Sequence, residues 1–271
     1  MIPPDGRTAL DLLDAHLETL WGTWEPSDVL PAEPPGLAAE GAGELVHWAL
    51  GRLRSIPREP KDAFAREVGD LIMEFRSRRS PWNAAVLRLL YDQCVFVATG
   101  PRRHEDWTHD VHAVLHRTVN DPRGWLRLDM DHPDPACQTV PAYPFDPPAP
   151  ADMPAHLHPL EAQAAVAALA VMAEEWQSEQ APVRSRPDRD ALLADARLLL
   201  DRYGPGAQYW TNATAAASTP APDFLASGLQ GTSTHCFHTT AYIAGLDIFE
   251  DLGVIAVNDE EVGVFWSIGA Y

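Results

Sequence analysis

Lysine is almost missing from this chain. Lys61 is the only one among 20 basic residues, so Schiff-base or phosphate-binding lysine chemistry has no other position available to it. Cysteine is scarce as well. Cys94, Cys137 and Cys236 are odd in number and widely spaced, which argues against a disulfide framework and fits a reducing compartment. No apolar run approaches the roughly 18 residues that a membrane-spanning helix needs. The first residues, Met1-Ile2-Pro3-Pro4-Asp5, carry neither the basic region nor the apolar stretch of a signal peptide. Together these features lead us to expect a soluble, cytoplasmic protein. Reaction signatures are missing too: there is no Gly-x-Ser-x-Gly elbow, no Walker loop and no dinucleotide fingerprint.

What is present is mostly negative charge. Asp and Glu number 39 against 20 Lys and Arg, for a formal net charge of −19 and a pI near 4.8. Such a chain repels phosphate backbones and anionic membranes at long range. Free nucleic acid and membrane surfaces are thus poor partners, whereas a basic protein, a cation or a metal ion fits better. Solubility alone is the simpler account of the same charge. A hydrophobic fraction of 46% allows a substantial core and excludes wholesale disorder. Abundant Ala, Pro and Arg suggest a bacterial, high-GC source of actinobacterial type.

The periodicity predicts a mainly α protein, an irregular multi-helix bundle with a short C-terminal β-hairpin. Leu10, Leu13, Leu17, Leu20 and Trp21 recur at helical spacing over about 8–21, before the Pro-rich stretch Pro26 to Pro35. A second helix is expected over about 44–54 and a third from Pro60, carrying Phe64, Val68, Leu71, Ile72 and Phe75. A fourth starts at the signal Ser80-Pro81 and stays apolar through Val97. A fifth covers 103–119, a sixth 159–178, a seventh 188–203 with Gly204 as its stop, and an eighth 234–252. Two β-rich runs, Val254 to Val257 and Val262 to Ile268, flank Asn258-Asp259-Glu260-Glu261 and read as a hairpin. A lone hairpin is marginal in water, so it must pack on helices or pair with further strands. Residues 121–158 are proline-rich and unpatterned. They divide an N-terminal helical part, 1–120, from a C-terminal part, 159–271, unless the whole forms one continuous domain.

Histidine supplies the candidate chemistry. On the fifth helix Glu105, His109, His112 and His116 fall within about 60° of one another, away from Trp107, Val111 and Val114. The stripe is too long for one ion, because Glu105 and His116 lie about 16 Å apart along the axis. The best-spaced metal pair is His112 with His116, and Glu105 with His109 is the alternative. His104-Glu105-x-x-x-His109 is one residue too long for the metalloprotease signature. A third ligand has two sources: His156-Leu157-His158, and His235-Cys236-Phe237-His238, where His235 and His238 are three apart. The ion would be zinc or another divalent transition metal. Histidines on a polar helix face are more often solvated or paired with carboxylates. Cys236 at a helix start would have a lowered pKa and offers a Cys–His nucleophile. Asp129-Met130-Asp131-His132-Pro133-Asp134 only loosely resembles a calcium loop, lacking its glycine and terminal glutamate. Among nine tryptophans, Trp21, Trp48, Trp82, Trp107 and Trp176 are expected in the core. Trp24, Trp125, Trp210 and Trp266 sit near loops or ends, where they could line a pocket.

Two readings of function follow. The first is a non-enzymatic interaction protein, of immunity or regulatory type, steered to a basic protein partner by its acidic surface. The second is a metal-binding protein or metal-dependent enzyme using the histidines of 103–119.

Overall fold

The computed structural model describes residues 9–23, 43–58, 60–90, 95–119, 145–174, 181–237 and 248–270. They fall into two compact units, with the division between Leu87 and Arg88 inside helix α4 (Pro81–Leu90). The proline-rich segment expected to separate two halves lies mostly outside the described residues.

The first unit is helical. Helices α1 (Ala9–Thr23), α2 (Gly43–Ser55) and α3 (Lys61–Arg79) form where the apolar period indicated. Leu13, Leu17 and Leu20 of α1 pack with Val46, Ala49, Leu50 and Leu53 of α2 and with Phe64, Val68, Leu71, Ile72 and Phe75 of α3. Pro60 caps α3 in extended conformation. The Ser80-Pro81 signal starts α4 as expected: the Ser80 hydroxyl oxygen accepts from the Asn83 N–H at 3.0 Å. Asp14 is buried among these helices against Arg76, whose Nε donates to it at 2.9 and 3.2 Å.

The second unit overturns the expected fold class. It contains a five-stranded antiparallel sheet in the order β1-β5-β4-β3-β2, so the chain is mixed α/β and not mainly α with a short hairpin. The strands are β1 (Val95–Pro101), β2 (His158–Leu160), β3 (Gln208–Thr211), β4 (Ile248–Val257) and β5 (Glu261–Ala270). Four misread segments account for the difference, the shortest being β2, where Pro159 and Leu160, expected to open the sixth helix, pair with β3 and that helix starts only at Ala162. Helix α4 ends at Leu90, and residues 95–101, expected to continue it, form β1 against β5, with Phe96 opposite Trp266 and Ala98 opposite Val264. Residues 95–98 are all 0–3% exposed, and a strand buried on both faces shows no alternation to distinguish it from a buried helix. The expected eighth helix is not formed at either end: Thr234 makes an isolated bridge with Ala213, and residues 248–252 belong to β4. The unpatterned stretch 205–233 contains β3, which pairs with β4 with Trp210 opposite Ile255. The hairpin runs are real but form the inner parts of two ten-residue strands in the middle of a sheet.

Helix α5 (Trp107–Leu115) and the segments carrying Phe145, Met153, Leu157 and Phe237 cover one sheet face, over Phe96, Ala98, Ile255, Val264, Trp266 and Ile268. Helices α6 (Ala162–Val171) and α7 (Arg189–Asp201) belong to the other side, where Tyr203 beyond α7 packs edge-on against Phe265 at 6.4 Å. Alanine at 164, 165, 168 and 170 is buried, which lets α6 pack closely against its neighbours. Gly204, at φ +74°, supplies the left-handed turn that stops α7's extension, and a short helix α8 (Phe224–Ser227) precedes β4. Among the described residues no helix is long and apolar enough to cross a membrane.

Candidate functional site

Helix α5 is shorter than its sequence suggested, and its ends decide what the histidines can do. Asp106 is the N-cap: its carboxylate accepts from the Thr108 N–H at 3.0 Å and the Thr108 hydroxyl at 2.8 Å. The Thr108 N–H is the main reason the Asp106 carboxyl is held below its ordinary value. Glu105 therefore precedes the helix and is not part of the stripe. His116 is the C-cap, followed by Arg117 at φ +56°. The Thr118 N–H bonds to the Ala113 carbonyl at 3.0 Å and the Arg117 N–H to the Val114 carbonyl at 2.9 Å, a Schellman closure with arginine at the position glycine usually takes.

The side chains on α5 are largely committed. Asp110, 3% exposed, accepts from the Arg103 and His104 N–H groups and sits 2.7 Å from His104 Nδ1. His104 and His109 rings lie 5.3 Å apart. His112 and His116 stack face to face, with ring centres 4.1 Å apart and planes 25° from parallel. Imidazole lone pairs lie in the ring plane, so two near-parallel stacked rings direct theirs side by side and not onto a common ion. Chelation by this pair would first have to break the stack. Burial, with His116 and His109 adding to it, holds the His112 imidazole below its ordinary value.

A second histidine group forms where the sequence left only separate clusters. His156 and His235 have ring centres 5.4 Å apart, and His158 and His235 are 5.5 Å apart. Thr211 and Asn212, at the end of β3, hold two of these residues. Thr211 is the register partner of His158 in β2, while the Asn212 carbonyl accepts from the His235 N–H at 2.9 Å. The Asn212 amide donates back to the His235 carbonyl, also at 2.9 Å. His158 Nε2 is buried with no hydrogen-bond partner. Burial first, then His235 and His156, lowers the His158 pKa. His238, the remaining ligand candidate, and the residues of the loose calcium-like segment lie outside the described residues. Among the described residues no three His, Cys, Asp or Glu side chains are set up to hold a metal ion.

Beneath this group lies a buried carboxylate that the sequence reading did not single out. Asp251, fully buried in β4, accepts from the Asn212 amide at 2.9 Å, from the Phe237 N–H at 2.7 Å and from Trp266 Nε1 at 3.0 Å. The Asn212 side-chain oxygen in turn accepts from the Gly253 N–H at 2.7 Å. A Cβ at Gly253 would overlap the Trp266 ring, so glycine leaves the space this indole occupies. Trp266, expected near a loop end, is the largest fully buried side chain among the described residues. The network ties residues 235–237 to the sheet. The cue in the sequence was an aspartate beside an otherwise apolar strand.

Cys236 does not have the setting expected of a nucleophile. Among the described residues it lies in 234–237, which are not helical. Burial, then Asp251, raises its pKa, the opposite of thiolate activation.

The fold and the site thus describe an acidic α/β protein with a central antiparallel sheet and two histidine groups. No family model matches the chain, and neither do curated proteins or solved structures.

Proposed function

We propose that the chain is an interaction protein that binds a basic protein partner, in the manner of an immunity or regulatory protein. The observation that carries this reading is the acidic end of the sheet unit. The Arg102 N–H bonds to the Glu260 carbonyl at 2.8 Å, which lays the turn before α5 beside the β4–β5 turn. The Asn258 amide bonds to the Tyr203 carbonyl at 3.1 Å, bringing the end of α7 to the same place. Glu105, Asp106, Asp201, Asp259 and Glu260 are all exposed there. The local arginines are partly committed. Arg202 is bidentate on Glu261 at 2.7 and 2.8 Å, and Arg102 reaches Asp110 and the carbonyls of His104, Glu105 and Asn258. Carboxylates therefore outnumber free cations on a rigid, hydrogen-bonded platform, which favours an arginine- or lysine-rich surface.

A ten-residue oligo-arginine peptide tests the location. The full chain should bind it with an affinity that falls steeply as salt rises. Asp259→Lys with Glu260→Lys should weaken binding several-fold more than Asp188→Lys with Asp190→Lys, which changes the net charge equally at the start of α7. Equal effects of the two pairs would reduce the reading to a diffuse charge effect and remove the docking site.

The histidines of 103–119 carry a weaker second reading as a metal site. Its support is the one-turn spacing of His112 and His116, and against it stands their ring stack.

A further inference from the structure

We propose that His156, His158 and His235 form a binding site for one divalent transition-metal ion of the zinc class. The site is independent of the acidic docking surface and of the α5 stripe. Zinc–nitrogen bonds of about 2.0–2.1 Å in tetrahedral array place the centres of two ligating imidazoles roughly 5 Å apart. The observed separations from His235, 5.4 Å to His156 and 5.5 Å to His158, match that spacing. The planes differ by 76° and 52°, so the rings are not stacked, unlike His112 and His116. Their nitrogens do not yet converge, and loading requires rotation about the side-chain torsions with the backbone staying in place.

The backbone is built to stay in place. His158 is fixed by strand pairing to Thr211. His235 is held by the two-way bond to Asn212, itself locked to Asp251 and Gly253. The His156 N–H closes a 3-10 turn onto the Met153 carbonyl at 2.9 Å. Within this frame His158 Nε2 is a buried acceptor or donor with no partner, and a buried polar atom in that state calls for a water or an ion. Three protein nitrogens leave a fourth position open to solvent or a small ligand, as in zinc sites that do chemistry or bind exogenous groups.

The test uses the full chain, stripped with chelator and then titrated with zinc chloride against a chromophoric chelator. Cobalt(II) chloride serves as a spectroscopic probe. One equivalent of zinc should bind, and cobalt should give the intense visible bands of a four-coordinate site. His158→Ala and His235→Ala should each weaken zinc at least about tenfold and abolish the bands. His158→Gln and His235→Gln, which keep side-chain bulk and hydrogen bonding, guard against loss through misfolding, and should lose the metal while keeping the native melting temperature. His112→Ala with His116→Ala, and Asp259→Lys with Glu260→Lys, should leave both readouts unchanged. The proposal is overturned if the native chain binds no zinc, if binding follows the α5 pair, or if cobalt keeps the weak bands of the pale pink octahedral ion as it does on a diffuse acidic surface.

Discussion

In the helical unit the carboxylate of Asp14 is buried against arginine; in the sheet unit that of Asp251 is buried against neutral donors. Asp14 has Arg76 Nε at 2.9 Å and Arg79 at 3.6 Å, and Arg76 reaches Glu18 as well. Even so, burial outweighs those guanidinium groups and pushes the Asp14 carboxyl above its ordinary value. Burial by itself would lower Arg76, but Asp14 and Glu18 override it and hold it up. Asp251 is instead an acceptor for the indole of Trp266, an amide side chain and the backbone of Phe237. The lesson lies in what each carboxylate is for. The first compensates a charge that could be removed together with it. The second satisfies donors that belong to the fold, including a backbone N–H that only a proline substitution would delete.

The largest effect is therefore expected at Asp251. Asp251→Ala strands two buried donors, the Phe237 N–H and Trp266 Nε1, at roughly 1–3 kcal/mol each and takes one acceptor from the Asn212 amide, which keeps the His235 carbonyl, so the sheet unit should lose about 3–5 kcal/mol. Asp251→Asn should cost less, because one side-chain oxygen remains to accept. Hydrogen exchange read separately over 95–119 and 248–270 checks this, and the helical unit should be unaffected. In that unit Arg76→Met alone should cost about 3 kcal/mol by leaving Asp14 poorly compensated. Asp14→Leu with Arg76→Met should recover most of it. Recovery in the double variant, beside no apolar rescue at Asp251, would establish the contrast. A double variant as unstable as Arg76→Met would break it.

The same contrast explains how much was legible in the sequence. Leu13, Leu17 and Leu20 announce α1 because a two-sided helix repeats its apolar positions every three to four residues. Val95, Phe96, Val97 and Ala98 announce nothing of the kind, since β1 is buried on both faces and its pairing with β5 spans most of the chain. β3 is only four residues long, and its partner β4 begins after a segment whose Ala and Leu content looks helical. The site was half legible. His158 and His235 could be named as ligand types, but their approach depends on Thr211 and Asn212, which carry no signature. Glu174 shows the same limit. Its carboxylate accepts from the Val183 N–H at 2.6 Å and the Leu229 N–H at 2.9 Å, joining segments that no local pattern connects.

A moderate effect should appear as pH dependence of the sheet unit, on top of what His16, which burial also holds below its ordinary value, contributes in the helical unit. His158 and His112 have folded-state pKa values below the ordinary 6.5. As pH falls through about 6.5 the unfolded chain takes up protons that the folded histidines refuse. Their contribution is thus fully present above that value and is lost as pH falls toward the lowered folded pKa. The melting temperature of the metal-free sheet unit should drop over this range, and His158→Gln should flatten the slope. An unchanged slope would mean that His158 is not excluded from protonation by its surroundings.

The smallest effect concerns the start of α5. The Asp106 side chain satisfies the Thr108 N–H and hydroxyl, so Asp106→Ala removes an N-cap and should cost about 1 kcal/mol. Asp106→Asn keeps an oxygen in the same place and should be nearly neutral at pH 7. The two differ in acid. The Asp106 carboxyl is held below its ordinary 3.8, so its charged form contributes stability above that pH and loses it as pH falls through the lowered value. Asparagine has no such transition, and the native and Asp106→Asn chains should diverge only in strong acid. The same pair separates folding from recognition, because Asp106 is also one of the exposed carboxylates at the acidic end. If Asp106→Asn weakens oligo-arginine binding while leaving the melting temperature alone, the negative charge at this helix start serves the partner and the oxygen alone serves the helix.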